Sequence, residues 1–441
     1  MAVTTNSPTA IDLFCGGGGI SLGLQAAGFD VLWAADSDAD AVATYRTNLG
    51  ETTETVEQAD LSETGPESVL PTVDPGEIDL VAGGPPCPTF SMMGRSKLQS
   101  VDGRSAASDE RHSLYQDFIR FVDHFQPTAV AMENVPGMLS AKTADGEQAA
   151  RAIRREFAAI GYEVDVFEVD AADYGVPQHR NRVFFIGTQS GARDLDLDAW
   201  RTHREPESDS ESMMRVRQEP DAFSPSDQAT LATFGDEEAA EDRDDESSLS
   251  HPSYRQPYVT VADAILDLPP LSPKGEKPPV KAEEYTIPAV SPYQEWARDL
   301  EADDDSEPTP LTNHEAREHN LLDLTIYKLL GEGVGWNIGD VSTDLQPYRG
   351  DVFLDKYKKQ HPRKPASTIL AHIHKDGHMF IHPREARSLS VREAARLQGF
   401  KDSFEFPVSR TQAYKIVGNA VPPLLMETIA RAIRAELLSS E

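Results

Sequence analysis

The feature that most limits what this chain can fold into is a rhythm running from residue 9 to residue 187. Short apolar runs of strand length alternate there with stretches whose apolar residues recur every three or four positions. Ala10–Phe14 reads as a strand, followed by a glycine run and then by a helical stretch with Ile20, Leu24 and Ala27 on one face. Val31–Ala35 is a second strand. Asp38 is placed to cap the next helix, whose Val42, Tyr45 and Leu49 fall on one stripe. Ile78–Ala82 is a third buried run, Leu114, Phe118, Phe121 and Phe125 mark another helix, and Ala129–Met132 the strand after it. A helix with Ile153, Phe157 and Ile160 then precedes strands at Tyr162–Val169 and Val183–Ile186. Such βαβ alternation predicts the α/β class: a doubly wound, mostly parallel sheet with helices on both faces.

The rhythm then stops. Thr188–Ser250 holds 18 acidic residues against 6 Arg, a net of −12, with frequent Pro and Ser, so 194–248 reads as a flexible acidic insert. Pro-rich sequence follows, then a second acidic run at 301–307 and a segment, 348–382, with Lys356, Lys358, Lys359, Arg363, Lys364 and Lys375. Helical patterning returns at Val391–Leu397 and closes with Leu425, Ile429, Ile433 and Leu437 at four-residue spacing. The expected organisation is a first catalytic part (1–190), an irregular second domain (191–385) and a return to the first (386–441).

Composition narrows the function classes. The 441 residues contain 2 cysteines, which excludes a disulfide framework and points to a reducing, cytoplasmic setting. No run of 18 apolar residues occurs, so no membrane span is expected. With 41 Lys and Arg against 74 Asp and Glu, the net charge is −33, a field that on average repels nucleic acid. Two readings compete, an acidic partner-binding protein or a surface adapted to high salt, and the many Asp and the few Lys relative to Arg favour the second. In molar salt the Debye length is about 3 Å, so a local basic groove can function on such a surface.

Chemistry-bearing residues cluster at the ends of the expected strands. Asp12-Leu13-Phe14-Cys15-Gly16-Gly17-Gly18-Gly19 is a strand entering a glycine turn and then a helix, which brings backbone close to a bound ligand. The dinucleotide fingerprint G-x-G-x-x-G fails, because Ser21 stands where its third glycine belongs. Asp36, closing the second strand, can accept hydrogen bonds from a ribose, and Asp60 follows a third segment. Gly83–Ser91 follows a buried strand and carries Pro85, Pro86 and the isolated Cys87, a thiol placed as a nucleophile would be. Cys15 reads as packing. Glu133 in Met132–Pro136 ends another strand and can hand a proton to a ring nitrogen. In Gln178-His179-Arg180-Asn181-Arg182 the two arginines alternate and so point to one side, where they would favour a thiolate.

With these motifs in this order the chain resembles the DNA (cytosine-5) methyltransferases. The resemblance rests on Asp12–Gly19, Pro86-Cys87, Glu133-Asn134-Val135, Gln178-x-Arg180-x-Arg182, Arg392–Gln398 and Gly418-Asn419-Ala420-Val421-Pro422-Pro423. It implies a sheet of the S-adenosylmethionine-dependent methyltransferase type, with a target-recognition domain in the span 191–385. It implies that Cys87 adds to C6 of a flipped-out cytosine, that Glu133 engages N3, and that Arg182 binds O2. Arg180 would support the loop or contact phosphate. For S-adenosylmethionine it implies a cradle of Asp12, Phe14, Gly16, Gly18 and Gly19, with Asp36 on the ribose and Asp60 on the adenine amine. Pro86, Asn419 and Ala420 complete that cradle, the last two at the methionine end. Pro88 and Asp36 depart from the family's usual Gln and Glu, and Arg392–Gln398 reads as a scaffold helix.

Double-stranded DNA is the expected partner, with a cognate restriction nuclease as a further one, and the chain is expected to act as a monomer. The alternative is the same chemistry on transfer RNA, disfavoured by the length of 191–385. His361, His372, His374, His378 and His382 match no zinc spacing and are expected to face DNA or solvent, with no metal bound.

Overall fold

A computed structural model describes residues 7–86, 114–143, 146–189, 195–206, 255–273, 278–300, 309–331, 335–347 and 356–438. Its centre is a seven-stranded sheet built from β1 (Thr9–Leu13), β2 (Asp30–Asp36), β3 (Thr55–Gln58), β4 (Leu80–Gly83), β5 (Ala129–Asn134), β6 (Glu163–Asp170) and β7 (Asn181–Thr188). The order is β3-β2-β1-β4-β5-β7-β6. Winding reverses between β1 and β4, which pair in parallel with Asp12 opposite Ala82. A crevice therefore opens at the carboxyl ends of these two strands.

Strand period assigns the two faces. Ala10, Leu80, Ala82, Ala129, Ala131, Phe184 and Ile186 point into one core, shared with Ile20 and Leu24 of α1 (Gly19–Ala26). The intervening Ile11, Leu13, Val81, Val130, Met132, Val183 and Phe185 point into the other, against α3 (Leu114–Phe125) and α4 (Ala149–Ala159). Between α1 and α3, helix α2 (Ala39–Leu49) starts as expected: the Asp38 carboxylate accepts from the backbone N–H of Asp40 and Ala41.

β7 is antiparallel to both neighbours. Only a single helical turn, Ala171–Tyr174, interrupts the link from β6, too little for the crossover that a parallel strand needs. The reversal puts the first residues of β7 at the carboxyl edge of β5, with Glu133 opposite Phe184 and Asn134 opposite Val183.

After residue 255 the chain is mostly irregular, with short helices at Val261–Ile265 and Pro292–Ala297 and a longer α5 (Leu321–Leu329). Next come α6 (Val391–Leu397), α7 (Arg410–Asn419) and α8 (Pro423–Ile433). Leu425, Met426 and Ile429 of α8 join Leu24 of α1, so the C-terminal segment is part of the first core. α6 and α7 share a third core with Val261, Ile265, Ile369, Ile373 and Phe380. Every residue of α6 is buried, including Arg392, Glu393 and Arg396. Their charges are compensated internally: Arg387 grips Glu393 with both terminal nitrogens, and Arg396 bridges Asp267 and Asp402. The expected scaffold helix is thus set among buried ion pairs. Among the described residues no helix is long and apolar enough to cross a membrane.

Candidate active site

The glycine loop sits where β1 ends. Phe14 (φ 59°), Gly16 (φ 53°) and Gly18 (φ 101°) all adopt left-handed backbone, and the turn is locked to β2 by Cys15 N–H donating to the Ala35 carbonyl (2.9 Å). A Cβ placed on Gly19 would lie 2.3 Å from the Val421 carbonyl oxygen, so the loop and the segment after α7 are in direct backbone contact. A Cβ on Gly16 would meet nothing within 4 Å, so the loop has an open side. Beside it Asp36 Oδ2 accepts from Gly16 N–H (2.9 Å) and Oδ1 from Asp38 N–H (2.8 Å). Each oxygen keeps a lone pair for a ligand hydroxyl.

Beneath the loop Asp12 is fully buried. Oδ2 accepts from Ser21 Oγ (2.6 Å), which in turn accepts from Tyr45 Oη (2.7 Å), while Oδ1 has no hydrogen-bond partner. Burial lifts its pKa to about 7, with the charge of Asp36 adding a little. The Cys15 thiol is also buried and pushed well up by desolvation, so it stays a thiol, as the packing reading requires.

Across the crevice Arg182 Nε donates to Glu133 Oε1 at 2.6 Å. Both side chains are about nine-tenths buried, at 10% and 13% exposure, so the pair is desolvated yet reachable from one side. The antiparallel β7 creates this diagonal, because Arg182 and Phe184 lie on the same face as Glu133. Burial lowers the Arg182 pKa from its ordinary value, and the Glu133 carboxylate opposes that shift. Gly84 runs over the pair: a Cβ there would stand 3.2 Å from Glu133 Oε2. Asn134 ties the same loop down, its side-chain amide donating to the Pro85 carbonyl (3.3 Å). Pro86 is exposed at the loop's last described position, and Cys87 lies outside the described residues.

The sequence motifs therefore meet at one sheet edge, but not all face the crevice. Arg180 is 1% exposed, and its terminal nitrogens donate to the carbonyls of Ile369, Gly418 and Ala420. Of the two roles expected for it, loop support fits this position and phosphate contact does not. Asn419 is exposed and Ala420 half-buried at the end of α7, beside the glycine loop. Asp60 is exposed, and Oδ1 accepts from both Ser62 N–H and Ser62 Oγ, which lowers its pKa.

The expectation for the histidines needs correction. His378 and His382 are buried, at 7% and 2% exposure. His378 Nδ1 and His319 Nδ1 both contact Tyr327 Oη (2.6 and 3.2 Å), and Tyr357 donates to Asp323 Oδ1 (2.6 Å). Ligand-type atoms of His319, Asp323 and His378 fall within 4.8 Å of one another, yet each residue is already hydrogen-bonded within the protein. Burial in this aromatic setting pushes the His319 pKa down to about 4, so these rings are neutral core groups. Lys359 likewise leaves the basic segment for the interior, donating to the Leu330 carbonyl (2.8 Å). Two glutamines that received no role, Gln178 and Gln398, turn out to be fully buried and bonded to each other (2.5 Å). The spacing of Gln178 two residues before Arg180, which puts both on one side of an extended segment, was the available signal.

Comparison with known proteins bears directly on this arrangement. The family model described as C-5 cytosine-specific DNA methylase matches residues 9–435. The chain belongs to that family. The methylase is 31% identical to the type II methyltransferase M.AgeI of Thalassovita gelatinovora, over 97% of this chain and 99% of the relative. It is also 31% identical to the type II methyltransferase M.DdeI of Desulfomicrobium norvegicum, over 96% of this chain and 88% of the relative. Among solved structures, an E. coli prophage protein assigned as a DNA modification methyltransferase superposes with a TM-score of 0.61. It is 23% identical and covers 98% of the methylase and all of its own chain, a likeness of fold. The expected sheet and the expected enzyme class both hold.

Proposed function

We propose that this methylase transfers a methyl group from S-adenosylmethionine to C5 of a flipped-out cytosine in a specific duplex sequence, as the modification arm of a type II system. The observation that carries this reading is the desolvated Glu133–Arg182 pair at the switch-point edge, next to an open glycine loop and the Gly84–Pro86 approach to Cys87. The loop fits the cofactor. Asp36 has lone pairs free for ribose hydroxyls, Gly16 leaves space above it, and the buried, unpartnered Asp12 Oδ1 lies beneath. Phe14, Gly18, Gly19, Asp60, Pro86, Asn419 and Ala420 would complete the cradle. When bound, S-adenosylmethionine supplies an electrophilic methyl group on a sulfonium.

The chain's own residues do the activation. C5 of cytosine is a weak nucleophile until the Cys87 thiolate adds at C6 and pushes electrons into the ring. Glu133 holds a proton at N3, where that charge collects, and Arg182 neutralises O2. Because the two are already paired at 2.6 Å, the cytosine edge meets groups whose orientation is fixed beforehand. After transfer, loss of the C5 proton lets Cys87 depart. The base must leave the stack to reach this edge, at a cost of a few kcal/mol. The span 191–385 would supply the recognition surface, with 1–190 and 386–441 forming the catalytic domain.

Bisulfite sequencing of DNA from a methylation-free host expressing the protein should show 5-methylcytosine within one short sequence. A duplex carrying 5-fluorocytosine at that position should trap a denaturation-resistant adduct mapping to Cys87 and absent in Cys87→Ser. Methylation confined to transfer RNA, or an adduct on Cys15, would overturn the reading.

A further inference from the structure

Four polar links made by buried glutamines join segments that lie far apart in sequence. Ile369 N–H donates to Gln178 Oε1 (2.9 Å), and Gln178 Nε2 donates to the Leu397 carbonyl (2.7 Å) and to Gln398 Oε1 (2.5 Å). Gln398 Nε2 donates onward to the Ala420 carbonyl (2.5 Å). Arg180 spans the same gap in parallel, with Nη1 on the Ile369 carbonyl (2.8 Å) and Nη2 on the carbonyls of Ala420 (2.9 Å) and Gly418 (3.2 Å). All three side chains are at most 1% exposed.

The backbone around them is equally tight. A Cβ on Gly418 would fall 2.1 Å from Ala371 N, so the end of α7 is pressed against the 369–371 turn. On its other side the same segment touches the glycine loop, through Val421 and Gly19. The segment that carries Gln178 and Arg180 runs directly into β7, which presents Arg182, and so Glu133, two residues later. It is also stitched to the 366–369 segment by His179 N–H to the Ala366 carbonyl (2.9 Å) and Thr368 Oγ1 to the His179 carbonyl (2.7 Å).

We infer that Gln178, Arg180 and Gln398 are positioning residues: a buried hub that joins the 366–371 segment, the base pocket and the glycine loop into one body. None of them reaches the crevice, so they act only through the groups they hold. Buried carbonyls satisfied by a shared guanidinium cannot shift singly without leaving one unpaired. A displacement of the 369–371 turn by DNA is therefore passed to Gly418–Val421 and on to Gly19. Occupancy of the cofactor loop and occupancy of the recognition segment must then bias each other, and by linkage they do so equally in both directions.

This rests on the function proposed above, and the test separates the two. S-adenosylhomocysteine, the transfer product, is titrated into the full-length protein by calorimetry, alone and with a duplex containing the sequence found by bisulfite mapping. The wild type should bind it at least about 5-fold more tightly with the duplex than without it, the lower end of usual coupling. In Arg180→Lys, which keeps the charge but cannot reach both sides, that ratio should fall below about 2, while each ligand alone still binds. Gln398→Met, which cuts two of the four glutamine links and leaves Arg180 in place, should give an intermediate ratio, and it carries the test if Arg180→Lys does not fold. A wild-type ratio near 1, or variants with the wild-type ratio, would overturn the hub while leaving the function intact. A wild type that binds no S-adenosylhomocysteine under either condition would overturn the function and the hub together.

Discussion

Replacing Asp12 by Asn isolates the energetic consequence of burying a carboxyl under the glycine loop. In the folded protein this group titrates near 7, whereas a free aspartate titrates near 3.8. A raised folded pKa means that the native state holds a proton the unfolded chain has released. Its contribution is fully present below pH 3.8 and is lost as pH climbs to 7, beyond which the loss is complete. At 1.36 kcal/mol per pH unit, tapering near the folded pKa, wild-type stability should drop by about 2 to 3 kcal/mol from pH 5 to pH 8 through this residue alone. An asparagine side chain at this position cannot ionise, so that slope disappears. The amide can still accept from Ser21, but it brings an N–H₂ to the unpartnered Oδ1 position, a pH-independent cost of about 1 to 3 kcal/mol. The assay is guanidinium denaturation of both proteins at constant molar salt from pH 5 to 8, read as the difference between them, which cancels every other titrating group. Asp12→Asn should gain on the wild type by about 2 to 3 kcal/mol across that range. A difference that stays flat with pH would show that Asp12 is already ionised, and the account of its burial would be wrong.

Glu133→Gln leaves Arg182 charged and about nine-tenths buried without its partner, which should cost about 3 to 5 kcal/mol in denaturation experiments. It should also slow single-turnover transfer by about 10² to 10⁴, the usual worth of a positioned proton donor; unchanged turnover would remove Glu133 from the mechanism. The thermal midpoint should rise between 0.1 M and molar potassium chloride, as the Debye length shrinks from about 10 to about 3 Å. A midpoint that stays level would count against a surface adapted to salt. Deleting 207–248, which carries most of the acidic insert, should leave methyl transfer intact; a folded but inactive deletion would assign that stretch a catalytic role.

Much of the architecture was legible because strand and helix periods are written in single residues. Ala10 and Ile11 face opposite cores, as alternation demands, and Asp38 caps α2 where its position before Ala39 suggested. The direction of β7 was not legible, since Val183–Ile186 reads the same forwards or backwards. That direction follows from the short link after Asp170, and it decides that Arg182 meets Glu133. Alternation also placed Arg180 and Arg182 on one side without saying what each would touch. Arg180 finds carbonyls more than 180 residues away in sequence, a partner set that no local pattern encodes. The reading of His378 failed for a related reason. A polar residue in an irregular segment is exposed by default, and only the phenols of Tyr327 and Tyr357 turn His378 into a core group.

The acidic surface and the buried guanidinium groups belong to one physical solution. An overall charge of −33 makes exposed attractions and repulsions hostage to ionic strength, because mobile ions screen whatever they can approach. Ions cannot approach Arg387 between Glu385 and Glu393, or Arg396 between Asp267 and Asp402, all but Glu385 being essentially unexposed. The same holds for Arg180 on its three carbonyls. The contacts that set the relative positions of α6, the 369–371 turn and the glycine loop are therefore indifferent to the salt that governs the surface. Whatever salt does at the acidic surface, the buried ion pairs hold their geometry apart from it. Salt dependence of turnover is then left to DNA association, where it follows the number of phosphate contacts, and to global stability, and not to the arrangement of α6 and the 369–371 turn.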